Sequence, residues 1–186
     1  MKEIFAGKID GKEIEEGETI MINVPSSKLT DVNSQLIKWY ISRKDCNIVY
    51  VTVNKPLSDI HAGLIREGID KSKVFIIDAI TPRKFADNTR VENAVFIGSP
   101  KELTNISIST TSTIKNLKGA KVLIFDSVST LLAYNDFDTV REFISFISNK
   151  MKELKVTFAI ICIKDKTDEK IISKLTSFVD KVLNIE

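Results

Sequence analysis

Seven short apolar runs recur along the chain: TIMINV, NIVYVTV, KVFIID, NAVFIG, KVLIFD, VTFAIICI and FVDKVLNI. Most are apolar at consecutive rather than alternate positions, and a strand reads that way when both of its faces are covered. Helices on both sides of a mostly parallel sheet provide that cover, so the runs predict an α/β fold of three layers.

Helical periodicity fills the intervals. Val32, Leu36, Ile37, Tyr40 and Ile41 form one stripe, and Leu57, Ile60, Leu64 and Ile65 form a second that Gly68 closes as a C-terminal cap. The tetrapeptide SPKE, Ser99 to Glu102, reads as a capping box with Pro100 at the first helical position. Val140, Phe143, Ile144, Ile147, Met151 and Leu154 mark a long amphipathic helix, and Ile171, Ile172 and Leu175 a shorter one. Stripes at this spacing are core positions.

Between Thr81 and Glu92 the periodicity lapses. Arg83, Lys84 and Arg90 make this segment basic, but Asp87 and Glu92 are interleaved and Phe85 is its one aromatic residue. It reads as a solvated loop rather than a nucleic-acid surface.

The length of 186 residues suits a single domain over 1–186, with 1–16 as a short N-terminal extension. A charged share of 28% and a net charge of +2 point to neither nucleic acid nor a membrane surface. No apolar run approaches the roughly 18 residues of a bilayer span, and the N-terminus lacks the apolar core of a signal peptide. Cys46 and Cys162, each beside an apolar run, suit reduced thiols, so a cytoplasmic protein is expected. With His61 as the single histidine and no CxxC or HxxxH spacing, no metal site is expected. His61 itself reads as a packed or solvent-facing neighbour of the second stripe.

In a sheet of this type ligands bind beyond the carboxyl ends of the strands. Three ends carry polar residues: Val24 leads into PSSKLTD, Val53 into NKP, and Phe125 into DSVS. A phosphate loop GxxxxGK[ST] uses glycines to bring backbone N–H groups around phosphates, a lysine to reach the outer phosphates and a hydroxyl to hold magnesium. One register puts Asn23 and Lys28 at the glycines, Leu29 at the lysine and Thr30 at the hydroxyl. The next restores Lys28 as the lysine but puts Ser27 at a glycine and Leu29 at the hydroxyl. A non-glycine residue in left-handed geometry costs roughly 1–2 kcal/mol, so neither register makes a nucleotide cradle, although a helix start still attracts anions. Thr30 also reads as the N-cap of the first helix, and Asn54, ahead of Pro56, as the N-cap of the second. Asp126 suits either a magnesium-holding carboxylate or a cap for the helix after it.

The segments GETIMINVPSSKLTDVNSQLIKWYI, NIVYVTVNKPLSDIHAGLIREGID, KVFIIDAI and AKVLIFDSVSTLL resemble the RecA-like ATPase family of KaiC and its archaeal relatives. NVPSS and VTVNKPLSDI resemble a group of archaeal KaiC-related proteins with altered phosphate loops. The resemblance runs from Gly17 to the final VDKVLNIE and implies a RecA-like (P-loop NTPase-type) sheet, ATP and magnesium in active members, and assembly into rings or filaments. Such enzymes carry a glutamate pair that activates the attacking water or hydroxyl, and here Asn54 and Lys55 match those positions. Asparagine cannot take a proton at neutral pH and lysine has the opposite charge. Loss of such a base removes roughly 100- to 10,000-fold in rate.

The expectation is a non-catalytic pseudo-ATPase with a degenerate Walker A loop, acting as an interaction or regulatory module through a protein partner or self-association. It has no catalytic residue, no metal and no cofactor; Ser26, Ser27, Lys28, Thr30 and Asp126 form a vestigial nucleotide site. Two alternatives stand beside it. One is an ATPase or kinase in which Lys28 binds phosphate while Thr30 and Asp126 hold magnesium. The other binds a different nucleotide or anion through Lys28, Lys55 and the Arg83 loop.

Overall fold

All seven apolar runs form strands: β1 (Thr19–Val24), β2 (Asn47–Thr52), β3 (Val74–Asp78), β4 (Ala94–Phe96), β5 (Lys121–Asp126), β6 (Thr157–Ile163) and β7 (Lys181–Asn184). The computed structural model describes residues 14–83 and 92–186, apart from the side chains at 43 and 44. Most of the 1–16 extension and positions 84–91 of the basic segment lie outside the described residues. The strands build one sheet in the order β4-β3-β2-β5-β6-β1-β7, with every pairing parallel.

Among the described residues the helices are α1 (Leu29–Lys44), α2 (Leu57–Arg66), α3 (Leu103–Asn116), the short α4 (Val128–Leu131), α5 (Phe137–Glu153) and α6 (Glu169–Leu175). Side chains alternate across each strand, and that alternation sorts the core into two halves. Ile22, Ile48, Tyr50, Ile76 and Ile124 pack with Val32, Leu36, Leu57 and Leu64 of α1 and α2. Met21, Val49, Ile77, Leu123 and Phe125 pack with Ile106, Phe143, Ile147 and Leu175 of α3, α5 and α6. The result is the three-layer α/β architecture, and covering both faces explains the unbroken apolar runs. Each such side chain contributes about 1.5–3 kcal/mol when fully buried.

Helix ends match the sequence where backbone conformation decides and depart where side chains have other partners. Gly68 has φ +64° just past α2, and the Gly68 and Ile69 amides return to the Ile65 and Leu64 carbonyls. Only glycine takes that conformation without strain. SPKE, in contrast, is a turn before the helix. Its Glu102 amide donates to the Ser99 carbonyl, α3 starts at Leu103, and the Glu102 carboxylate is drawn to Arg83 at 2.7 Å instead of back to Ser99. Ile65 also departs from its stripe: it is 62% exposed, because the buried face of α2 is only wide enough for Leu57 and Leu64 with Ile60 at its edge. On α6 Leu175 is buried while Ile171 and Ile172 are half-buried. Cys46 and Cys162 are buried free thiols. Among the described residues no helix is long and apolar enough to cross a membrane.

Candidate functional site

Asp126 ends β5 two residues after Ile124, so the alternation turns its carboxylate toward the face covered by α1 and α2. Register places it beside Thr52 of β2, and Thr52 beside Asp78 of β3. Three buried polar residues therefore stand side by side at the carboxyl ends of three adjacent strands.

The Asp126 carboxylate is enclosed by neutral donors. The Tyr50 hydroxyl, one pleat earlier on the neighbouring strand, donates to Oδ2 at 2.6 Å. Asn33 of α1 donates its Nδ2 to the same oxygen at 2.8 Å and to the Tyr50 hydroxyl at 2.8 Å. Asn54 donates its Nδ2 to Oδ1 at 3.1 Å, and its own Oδ1 accepts from the Thr130 hydroxyl at 2.8 Å. Burial raises the Asp126 pKa above its ordinary 3.8, outweighing the bonds from Tyr50, Asn54 and Asn33 and the charge of Lys55, which lower it. Burial, then the charge of Asp126, pushes the Tyr50 hydroxyl well up, so it remains a neutral donor.

Thr52 shapes the turn that brings Asn54 over this carboxylate. Its hydroxyl donates to the Lys55 carbonyl at 2.7 Å and accepts from the Lys55 amide at 3.0 Å. The Lys55 side chain then reaches α1, where its ammonium donates to the Thr30 hydroxyl at 2.9 Å. Thus neither Thr30 nor Asn54 is a helix cap. Thr30 lies inside the first turn of α1, whose N-cap is Lys28 without a side-chain cap bond, and Asn54 precedes α2, whose N-cap is Pro56. Asp78 supplies what Asn54 does not: its Oδ2 accepts from the Leu57 amide at 2.8 Å at the start of α2, and its Oδ1 from the Ile80 and Thr81 amides. Asp126 does not cap α4 either, because the Ser127 hydroxyl takes the Thr130 amide at 3.3 Å.

The loop after β1 is a single 3-10 turn, Ser26–Lys28, running straight into α1. The Ser26 amide donates to Asp165 Oδ1 at 2.7 Å, and its hydroxyl to the other oxygen of that carboxylate. These bonds hold the Asp165 carboxyl below its ordinary 3.8. The Lys28 ammonium donates to the backbone oxygen of Glu186, and Ser27 is exposed. Arg83 is committed to the Ile97 carbonyl and to Glu102, both at 2.7 Å. Thr30, Lys55 and Asp126 thus meet around a cleft of about 60 Å³, also lined by Asn33 and Tyr50, while Lys28 and Arg83 are bonded elsewhere.

Mg-ATP, which the RecA-like resemblance implies, does not fit these residues as placed. The Thr30 hydroxyl is engaged by an ammonium, the Asp126 carboxylate by three donors, and the Ser26 amide by an internal carboxylate. The cleft is also well below the roughly 300 Å³ at which small-molecule pockets begin. Among the described residues no three His, Cys, Asp or Glu side chains converge as a metal site.

Asn33, Tyr50, Thr52, Asp78, Thr130 and Asp165 are the site residues that sequence reading missed. Asp78 ends an apolar run as Asp126 does, which is a readable signal. Tyr50 looks like one more strand aromatic, and nothing in the sequence joins Asp165 to Ser26, 139 residues away.

Comparison with known proteins agrees with this architecture. A KaiC-like protein of the hyperthermophilic archaeon Pyrococcus horikoshii superposes with a TM-score of 0.61 at 15% identity, covering 91% of this chain and 72% of its own. The flagellar accessory protein FlaH of Methanocaldococcus jannaschii gives 0.63 at 17%, covering 97% and 75%. An uncharacterized P. horikoshii protein in complex with an unknown peptide gives 0.68 at 15%, covering 96% and 82%. At such identities the likeness establishes the fold, which is KaiC/RecA-like. No curated protein matches the chain. A family model matches residues 28–185, most of the chain, and the protein therefore belongs to the family of unknown function DUF7504.

Proposed function

We propose that this chain is a non-catalytic KaiC/RecA-like domain of 1–186, of the archaeal KaiC-related type, that works in the cytoplasm as a protein-interaction or regulatory module. The enclosure of Asp126 by Tyr50, Asn33 and Asn54 carries the reading. Internal donors already take three of the roughly four lone-pair sites of this carboxylate, which leaves it serving mainly as a structural acceptor rather than as a ligand for magnesium. Ser26, Ser27, Lys28 and Thr30 then retain the position of a phosphate loop without its ability, since Asp165 answers the Ser26 amide and Lys55 the Thr30 hydroxyl. The similar P. horikoshii structure in complex with an unknown peptide supports a polypeptide ligand for a scaffold of this shape.

Thermal melting with and without millimolar Mg-ATP, ADP and cyclic nucleotides tests the proposal. A ligand at 100 times its Kd stabilises by roughly 2.7 kcal/mol, about 5–11 °C for a chain of this length. No shift is expected. A shift with Mg-ATP would instead favour an ATPase or kinase, and a shift with another nucleotide an anion-binding sensor.

A further inference from the structure

Two of the few exposed large apolar side chains share one groove. Ile108 on α3 is 61% exposed and Phe146 on α5 is 55% exposed, and both line a groove of about 460 Å³ between these helices. All of its lining comes from α3 and α5, so its outer side is open. Along α3 the lining runs from Ser107 to Asn116, about 13 Å at 1.5 Å per residue. Three small hydroxyl side chains, Ser107, Thr111 and Ser112, line it beside Ile108 and Phe146.

The charge on this groove has one sign. Lys115 and Lys150 are its charged lining residues, with no carboxylate among them. Lys150 shares its ammonium with Glu153 at 2.6 Å, outside the lining, while Lys115 is exposed. A two-fold contact between copies sets the same patch against itself, which here opposes lysine to lysine. Carboxylates beside an apolar stripe complement the groove instead.

We propose that the α3–α5 groove docks an amphipathic helix of a partner protein, its apolar stripe on Ile108 and Phe146 and its acidic flank on Lys115 and Lys150. The open trough along about two and a half turns of α3 suits a helix that anchors through residues spaced i, i+3, i+4 and i+7. The inference rests on reading the domain as an interaction module and names the partner's chemistry. The groove lies on the face of the sheet opposite the Asp126 cleft, so docking there needs no change at Thr30 or Lys55.

The test uses the full chain, ¹⁵N-labelled, and two synthetic amphipathic helices that share a leucine stripe, one flanked by glutamates and one by lysines. The glutamate helix is expected to shift amide resonances around Ile108, Lys115 and Phe146 and to bind at least about tenfold more tightly than the lysine helix. Phe146→Ser should abolish binding, and Lys115→Glu should reduce it about tenfold or more while leaving the melting temperature unchanged. Equal binding of both peptides, shifts confined to another face, or no shifts would overturn the proposal. Concentration-dependent dimerisation in sedimentation, lost on Phe146→Ser, would overturn it in favour of a second copy. None of these outcomes bears on Mg-ATP melting, so failure here is distinguishable from failure of the non-catalytic reading.

Discussion

Lys55 and Thr30, the positions that the KaiC-type resemblance assigns to a catalytic glutamate and to a metal-holding hydroxyl, are bonded to each other at 2.9 Å. The contact is exposed, so its net contribution is small, within about 1 kcal/mol. Lys55→Ala should therefore melt close to wild type and remain unresponsive to Mg-ATP, because Asp126 and Ser26 keep their partners. A Mg-ATP-dependent rise in melting temperature in that variant would show that Lys55 alone blocks the site.

Asp126 is expected to be the most sensitive polar residue near this cleft. Asp126→Ala strands the buried Tyr50, Asn33 and Asn54 donors and should cost about 2–4 kcal/mol in urea unfolding. Asp126→Asn should also destabilise, in a pH-dependent way. Burial raises the folded pKa above 3.8, so the folded state binds more protons; the contribution is full below 3.8 and is lost as pH rises through the folded value. The gap between wild type and Asp126→Asn should narrow with rising pH across that window, and a constant gap would contradict the assignment.

Asp78 anchors the start of α2 and the turn after β3 through the Leu57, Ile80 and Thr81 amides. Asp78→Ala should cost about 2–4 kcal/mol, since it removes a cap and leaves buried amides unpaired. Hydrogen exchange should accelerate first in the opening turn of α2. Uniform acceleration throughout the sheet would point to a different role.

Asp165 should behave as an internal anion. Its folded pKa lies below 3.8, so its contribution is present above 3.8 and is lost as pH falls through the folded value. The Ser26 amide resonance should follow that titration in wild type and be insensitive to it in Asp165→Ala. Inorganic phosphate should shift the Ser26 amide only in the variant, where the N–H group at the helix start is released. An equal shift in wild type would mean that Asp165 does not occupy this position.

On α2, Ile65→Lys should change stability by no more than about 0.5 kcal/mol, whereas Leu64→Ala should cost about 2–5 kcal/mol. Chemical denaturation of the two variants measures the width of the buried face. Comparable losses would place Ile65 in the core.

The strands were legible because a doubly covered strand cannot hide its composition: KVLIFD and VTFAIICI are apolar at nearly every position and both are buried on both faces. Gly68 was legible for a similar reason, since a positive φ restricts the residue type. Capping residues were not. Thr30, Asn54 and Ser99 each suit a helix start by type, but type leaves open whether the side chain meets its own backbone or a distant partner. Asn54 turns to Asp126, 72 residues away, and Thr30 to Lys55. The site was half legible for the same reason: Asp126 stood out at a strand end, while Asn33 and Tyr50 became its partners only once α1 crossed over β2.

The bonds at Asp126 join segments that are far apart in the chain: α1 through Asn33, β2 through Tyr50, the turn after β2 through Asn54 and, one bond further, α4 through Thr130. A domain wired in this way has no separately loosened lip at the carboxyl end of its central strands. These four segments should open to solvent exchange together, as one cooperative unit close to the global unfolding free energy. In the regulatory role proposed above, a message would therefore travel as movement of the whole body against the proposed partner, with the end of the sheet acting as a rigid lever.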